Sequence, residues 1–304
     1  MKKMLSMTLA LLLVFSLAAC GGSSSSTSTP AATEAPATAA PATQAPETAA
    51  PATEAPASGS DLTPRQELPS TSSDLVVLDT VEIGYLHMST NAAFPPYEML
   101  TDDGGFEGID VEVAGKIAER MGLELVVDDM DFDAALLAAQ NGQSDIVMAG
   151  VTVTDERQEV MDFSDSYATA IQVIIVKDDS PIATVDDLAN ASMIGTQRAT
   201  TGYIYCSDDY GEDHVTAFSN GATAVQALLN GQVDAVVIDN MPAQEFVKAN
   251  PGLKILDTAY AEEQYAIGMQ KGHEKLLTAI NIVLAELRAD GTLQAIVDKY
   301  ITAE

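Results

Sequence analysis

Arg157, Thr152 and Asp239 are the side chains of this sequence whose types and settings best suit chemistry. A planar guanidinium grips a carboxylate through two parallel N–H bonds, and a nearby threonine hydroxyl with free backbone N–H groups adds donors. Thr154, followed by Asp155 and Glu156, reads as a helix start: the hydroxyl caps free N–H groups and the acids suit the positive end of the dipole. Arg157 then falls in the first turn, against the dipole preference. It has either a specific anion to hold or an ordinary solvated place on the surface, and residue type alone leaves both open. Asp239 follows the apolar run Ala235-Val236-Val237-Ile238 at the carboxyl end of an expected strand. There it either faces a cleft and accepts hydrogen bonds from an ammonium group, or caps a helix beginning at Asn240-Met241-Pro242.

Other constellations carry less. Asp129, Asp131 and Asp133 begin with calcium-loop spacing, but Ala134 occupies the required glycine position and Gln140 that of the bidentate acid. His87, His214 and His273 are scattered without ligand spacing, so no metal is expected. There is no glycine-rich phosphate loop and no serine or cysteine nucleophile motif, and no cofactor is expected.

The elements that must position these residues alternate in type. A strand is expected over 81–85, then a loop over 91–98 carrying Phe94, Pro95, Pro96 and Tyr97. A helix follows over 110–120, its apolar face made by Val111, Val113, Ala114, Ile117 and Ala118. A strand over 123–127, a helix over 132–141 stopping at Gly142, and a strand over 145–149 ending at Gly150 complete this part. The rhythm repeats: strand 171–177, a helix from 184, strand 193–195 running into a polar loop over 196–201, helix 223–230 and strand 233–238. The last elements are a strand over 263–269 and helices over 274–288 and 292–300. Strand and helix in alternation imply parallel strands with helical crossovers, an α/β class, whose ligands bind beyond the carboxyl ends of the strands. Phe94 and Thr152 fall there.

Ordered blocks carry a resemblance. AGVTVTDER (149–157) with MDFSDSY (161–167), STNAAFPPYEML (89–100), GGFEGIDVEVAGKIAERMG (104–122), DFDAALLAAQNGQSDIVMAG (131–150), VDDLANASMIGTQRATTGY (185–203), ALLNGQVDAVVIDNMPAQEF (227–246) and AELRADGTLQAIVDKY (285–300) together resemble solute-binding family 3, the amino-acid-binding proteins of ABC importers. The resemblance covers roughly residues 75–303. It implies a type II periplasmic-binding-protein-like fold, with lobe 1 over 74–168 and 263–304, lobe 2 over 169–262, and two chain crossings as a hinge that closes on a ligand. It implies that Arg157, Thr152 and Thr201 hold a ligand carboxylate, and that Asp239 meets the ammonium with help from the backbone near Gly150. Phe94 and Phe132 then sandwich the side chain. Several positions depart from the commoner pattern: Asn91 stands where many members carry Asp, Ala149-Gly150 replaces a serine-containing pair, and Ala199 stands where Gly is usual. With Asn91 and Gln197 offering amides, a polar neutral amino acid such as glutamine is the expected ligand, a cationic one the next. The implied partners are a free amino acid and ABC permease subunits, with the receptor a monomer. The rival class is an enzyme of the same fold, a dehydratase of cyclic amino-acid precursors, for which Glu98 is the one further cleft acid to name. A lytic enzyme would need an added catalytic domain, and the chain's ending soon after the last helix is not expected to leave room for one.

The chain has 45 acidic against 14 basic residues, a balance that repels nucleic acid and anionic lipid surfaces. Two lysines, an apolar stretch and small residues before Cys20 read as a signal peptide over 1–19. Leu17-Ala18-Ala19-Cys20 resembles a bacterial lipobox, implying a lipidated Cys20 that holds the protein on the outer face of the cell membrane; an ordinary signal cut near Ala19 is the alternative. Residues 20–73 are an Ala/Pro/Thr-rich spacer, which at ~3.1 Å per residue reaches at most about 160 Å. Cys206, the other cysteine, has no partner for an intrachain disulfide and is expected to be a buried thiol.

Overall fold

The computed structural model describes residues 78–301. The signal peptide, Cys20 and the spacer lie outside the described residues. The remainder is a mixed α/β chain built on two sheets.

The first sheet has the order Glu124–Asp129, Tyr85–Thr90, Ile146–Val147, Gly268–Gln270, Met161–Phe163. Its first three strands are parallel, and Gly268–Gln270 runs antiparallel to both its neighbours. Helices Ile109–Met121, Phe132–Gln140, Glu274–Ala289 and Thr292–Tyr300 belong to this half of the chain. Helix Ile109–Met121 buries Val113, Ala114, Ile117 and Ala118 as its periodicity requires, but Val111 is only partly buried and Asp110 is fully buried. They join Leu86, Met88, Ile280, Leu284 and Leu287 in the core.

The opening strand is displaced from its expected place. Val81-Glu82-Ile83-Gly84 forms a turn with Ile83 94% exposed, and the strand runs over Tyr85–Thr90. The apolar alternation of Val81, Ile83 and Tyr85 imitates a strand, whereas the true one carries His87, Ser89 and Thr90. The side chains of His87 and Ser89 are tolerated because they find partners, His87 Nδ1 beside Asp128 Oδ2 at 3.0 Å, while the buried Thr90 hydroxyl has none among the described residues. Asp145 accepts from the His87 and Val81 N–H groups at 2.7 Å, and Ser89 Oγ donates to the Ala135 carbonyl at 2.9 Å.

The second sheet has the order Val215–Phe218, Ile194–Gln197, Ala235–Asp239, Ala168–Lys177, Leu253–Ile255. The first three are parallel, but Ala168–Lys177 is antiparallel to Ala235–Asp239, against the all-parallel expectation. No crossover helix precedes Ala168–Lys177, since it arrives straight from the first sheet. The strand expected over 263–269 is two strands. Ala261–Tyr265 pairs antiparallel with the start of Ala168–Lys177, and Gly268–Gln270 joins the first sheet. The two passages of the chain between the sheets are therefore hydrogen-bonded side by side.

The loop expected over 91–98 contains part of a small antiparallel sheet, Ala93–Phe94, Glu98–Leu100 and Phe106–Glu107. Strands of two or three residues around Pro95 and Pro96 leave no periodicity to read. This sheet ends at Gly108, which opens helix Ile109–Met121 at φ 130°; a Cβ there would lie 2.1 Å from the Tyr97 carbonyl oxygen. Gly108→Ala is expected to lower the unfolding free energy by about 3 kcal/mol or more, combining backbone strain with overpacking. Urea denaturation followed by circular dichroism measures it, and an unchanged midpoint would show that the small sheet moves aside freely.

Candidate functional site

The nine residues singled out for ligand contact come together. Asn91, Phe94, Phe132, Gly150, Thr152 and Arg157 from the first half, and Gln197, Thr201 and Asp239 from the second, line one pocket with about 310 Å³ of empty space, joined by Glu98, Ala149 and Thr200.

On the first side, strand Ile146–Val147 ends in Met148 to Gly150, and Gly150 turns the chain at φ 57°. A Cβ there would meet the Phe94 ring at 2.9 Å and the Tyr265 ring at 3.2 Å, so only glycine lets these aromatics close on the backbone. Its N–H donates to Asp110 Oδ2 at 3.0 Å, which leaves its carbonyl as what it can offer a ligand. Thr154 caps helix Asp155–Val160 as expected, accepting from the Arg157 N–H. The guanidinium of Arg157 is half-buried, 5.6 Å over the ring of Phe132, and donates to the carbonyls of Thr152 at 2.7 Å and Ala199 at 2.9 Å. It makes no ion pair among the described residues. Burial lowers its pKa, against the pull of the nearby Glu263 and Asp239 carboxylates. The solvated-surface alternative therefore fails.

On the second side the expected polar loop over 196–201 is mostly taken into neighbouring elements. The strand continues to Gln197, and Thr200 caps helix Thr201–Tyr210. Between them Ala199 has φ 61°, a left-handed conformation that costs a residue with a Cβ about 1 kcal/mol, and it aims its carbonyl at Arg157. Thr201 is buried at the positive end of its helix. Gln197 Nε2 donates to Asn91 Oδ1 at 3.0 Å across the pocket, while Asn91 Nδ2 donates to the Met130 carbonyl.

Asp239 precedes helix Asn240–Ala249 but makes no side-chain cap bond. Its Oδ1 accepts from Tyr265 Oη and its Oδ2 from Gln172 Nε2 at 2.9 Å, so the open choice between cap and cleft falls to the cleft. Burial and the adjacent Glu263 push its carboxyl up to about 7, the Tyr265 and Gln172 bonds opposing.

The sequence reading missed an acidic network behind these residues. Glu263 is 5% exposed and its Oε2 accepts from Thr152 Oγ1 and Gln172 Nε2, each at 3.0 Å. The hydroxyl proton of Thr152 is thus already engaged, and Thr152 serves a ligand carboxylate only after turning away. Strand alternation was the usable signal. Glu263 and Tyr265 share the buried face of Ala261–Tyr265, with Glu262 and Gln264 exposed. Glu98 is fully buried, and neither carboxyl oxygen has a hydrogen-bond partner among the described residues. Burial and then the neighbouring Asp110 push it well up toward its neutral form. Asp110 itself is held at about 6 by burial, offset by bonds from the Gly150 N–H and Tyr167 Oη. Four buried acids therefore lie in or behind the pocket, and two of them, Glu263 and Asp239, act on the Arg157 guanidinium. Chemically the arrangement suits a small molecule carrying a carboxylate at one end and an ammonium at the other.

Residues 86–303 match the family described as bacterial extracellular solute-binding proteins, family 3. The chain is 32% identical to a probable histidine-binding protein of Neisseria gonorrhoeae over 71% of this chain and 83% of that one. It is 30% identical to the L-cystine-binding protein TcyJ of Escherichia coli K12, over 73% and 85%. A solved structure of an ancestral arginine-binding protein bound to glutamine is similar at a TM-score of 0.69 and 37% identity, covering 73% of this chain and all of that one. These likenesses place the two sheets in the type II periplasmic-binding-protein fold.

Asp239 titrates well above the ordinary aspartate value of 3.8, so between that pH and about 7 the native state binds more protons than the unfolded chain. Its contribution to stability falls as pH rises through this window, and above it the buried charge is a net cost. Asp239→Asn is expected to raise the melting temperature by roughly 5 °C at pH 8 and by little at pH 5, in scanning calorimetry. A lower melting temperature at pH 8 would show the carboxylate to be stabilising where it lies.

Proposed function

The chain belongs to family 3 of the bacterial extracellular solute-binding proteins, and from that premise we propose that it captures a free amino acid by closing its two lobes and delivers it to the membrane permease of an ABC importer. The observation that carries this reading is the pairing of opposites across one pocket: a half-buried guanidinium without an ion pair among the described residues on one side and the buried carboxylate of Asp239 on the other.

The two carbonyls bonded to Arg157 hold its fork in place, and its remaining N–H groups receive the ligand carboxylate, with Thr201 at a helix start adding donors. Asp239 and the Gly150 carbonyl receive the ammonium. Each anchor belongs to a different lobe, so a zwitterion favours the closed form by binding both at once. Phe94 and Phe132 enclose the ligand's side chain. We assign lobe 1 to 74–168 and 263–304 and lobe 2 to 169–262, a division supported by the antiparallel pairing of the strands that pass between the sheets.

For the ligand we read a polar neutral amino acid such as glutamine, whose amide matches those of Asn91 and Gln197 across the pocket. A cationic amino acid is the second reading, favoured by the acids Glu98 and Asp239 in the pocket with Asp110 and Glu263 behind them. We read the protein as a receptor and not an enzyme, since its relatives are named as binding proteins. Among the described residues no helix is long and apolar enough to cross a membrane. The leader over 1–19, a lipidated Cys20 and the spacer to residue 73 are our reading of how the receptor is held at the cell surface, as a monomer.

A thermal-shift panel of the twenty amino acids is expected to single out glutamine or the cationic ones, a ligand at 100 times its dissociation constant adding ~2.7 kcal/mol to the folded state. Selection of an acidic or large apolar amino acid would mean the pocket has been misread, and turnover of prephenate or arogenate would favour the enzyme. Arg157→Ala is expected to weaken binding by ~3 to 5 kcal/mol in calorimetry, the scale for stranding one partner of a buried ion pair. Near-unchanged affinity would remove Arg157 from the carboxylate site.

A further inference from the structure

We infer that Glu263 is a positioning residue for ligand capture: it shares the amide of Gln172 with Asp239, its charge keeps a proton on Asp239, and the ammonium of an incoming amino acid expels that proton. The inference rests on the amino-acid reading above and deepens it.

Gln172 lies on the strand leaving the first sheet and Glu263 on the strand coming back. The Gln172 Nε2 group has two hydrogens, and carboxylates stand at both: Asp239 Oδ2 at 2.9 Å and Glu263 Oε2 at 3.0 Å, with Thr201 Oγ1 farther off at 3.4 Å. Both acids are buried, 6% and 5% exposed. The groups facing them do not supply a second positive charge. Tyr265, from the same strand as Glu263, donates to Asp239; Thr152, before helix Asp155–Val160, donates to Glu263. Tyr205, from helix Thr201–Tyr210, stands beside Glu263, and Tyr97 and Glu98 act on Asp239 from the small sheet, with Asp110 behind them. Arg157 is the one cation among the groups that act on the pair, and its Nη atoms are bonded to carbonyls. Two like charges on one buried amide, with Glu263 Oε1 lacking any partner among the described residues, call for a proton. The upward displacement of Asp239 to about 7 agrees.

Glu263 also holds Thr152, on the side where the ligand carboxylate is expected, so one carboxyl group orients elements of both anchors. On binding, the pair passes from one negative charge to two, the ammonium brings one positive charge, and the released proton goes to solvent.

Calorimetry of the full chain with L-glutamine and with L-arginine, at pH 7 in phosphate and in Tris, counts the protons. About half a proton released per amino acid bound is expected at pH 7 and nearly one at pH 6, with affinity tightening roughly fivefold between the two. Glu263→Gln keeps the side chain's size and removes the like charge, so that burial alone is left to oppose the ionisation of Asp239. Weaker binding with clearly reduced proton release at pH 7 and a flatter pH profile is expected, which a merely structural contact would not produce. Wild-type binding without proton exchange overturns the inference whether or not the variant folds, as does a folded variant that releases as many protons as wild type. Absence of binding to every amino acid at every pH overturns the amino-acid reading itself, and this inference with it.

Discussion

A carboxylate removed from water needs a donor or a countercharge, and the cleft of this protein holds more acids than it has such partners. Glu98 and Asp239 are buried in the pocket that Arg157 also lines, and Asp110 and Glu263 are buried behind it. Tyr167, Tyr265, Gln172 and the Gly150 N–H supply part of what they need. The remainder raises the proton affinity of Glu98, Asp110 and Asp239 and leaves a negative field in the pocket. An interior arranged in this way is poorer in stability than an apolar one would be, and that deficit is what an ammonium group can relieve.

The fold supplies the geometry for this tension. Parallel strands deliver Asn91 and Thr152 from one sheet, and Gln197 and Asp239 from the other, at their carboxyl ends. The small sheet over 93–107 seats Phe94 and Glu98 over the pocket, and Gly150 lets the aromatic rings approach the backbone. Arg157 is fixed less by its own helix, which buries none of its residues, than by the carbonyls of Thr152 and Ala199 on which its fork rests.

Much of this was legible in the sequence, for identifiable reasons. Helix Thr292–Tyr300 and the caps around Thr154 follow from local rules, and ordered motif blocks bring all nine expected residues to one pocket. The failures share a cause. The strand Tyr85–Thr90 hid because polar Ser89 and Thr90 are buried beside Leu86 and Met88, with Ser89 satisfied by the Ala135 carbonyl and Ser144, which no local pattern announces. Glu263 hid because an acid in a Glu-Glu-Gln run looks solvated, although alternation turned it inward. Asp110 hid at the first turn of a helix, where an acid is ordinarily a surface complement to the dipole. Local propensity describes the chain well until partners far along it decide burial.

The two strands that join the sheets run antiparallel, with Ala168 opposite Tyr265 and Gln172 opposite Ala261. A ladder of that kind bends and twists readily, yet it resists sliding, because each step of slippage would break every rung at once. On the closure proposed above, movement of the halves would be restricted to rotation about a fixed ribbon. The two faces of the cleft would then regain the same alignment after each opening, without having to search for it.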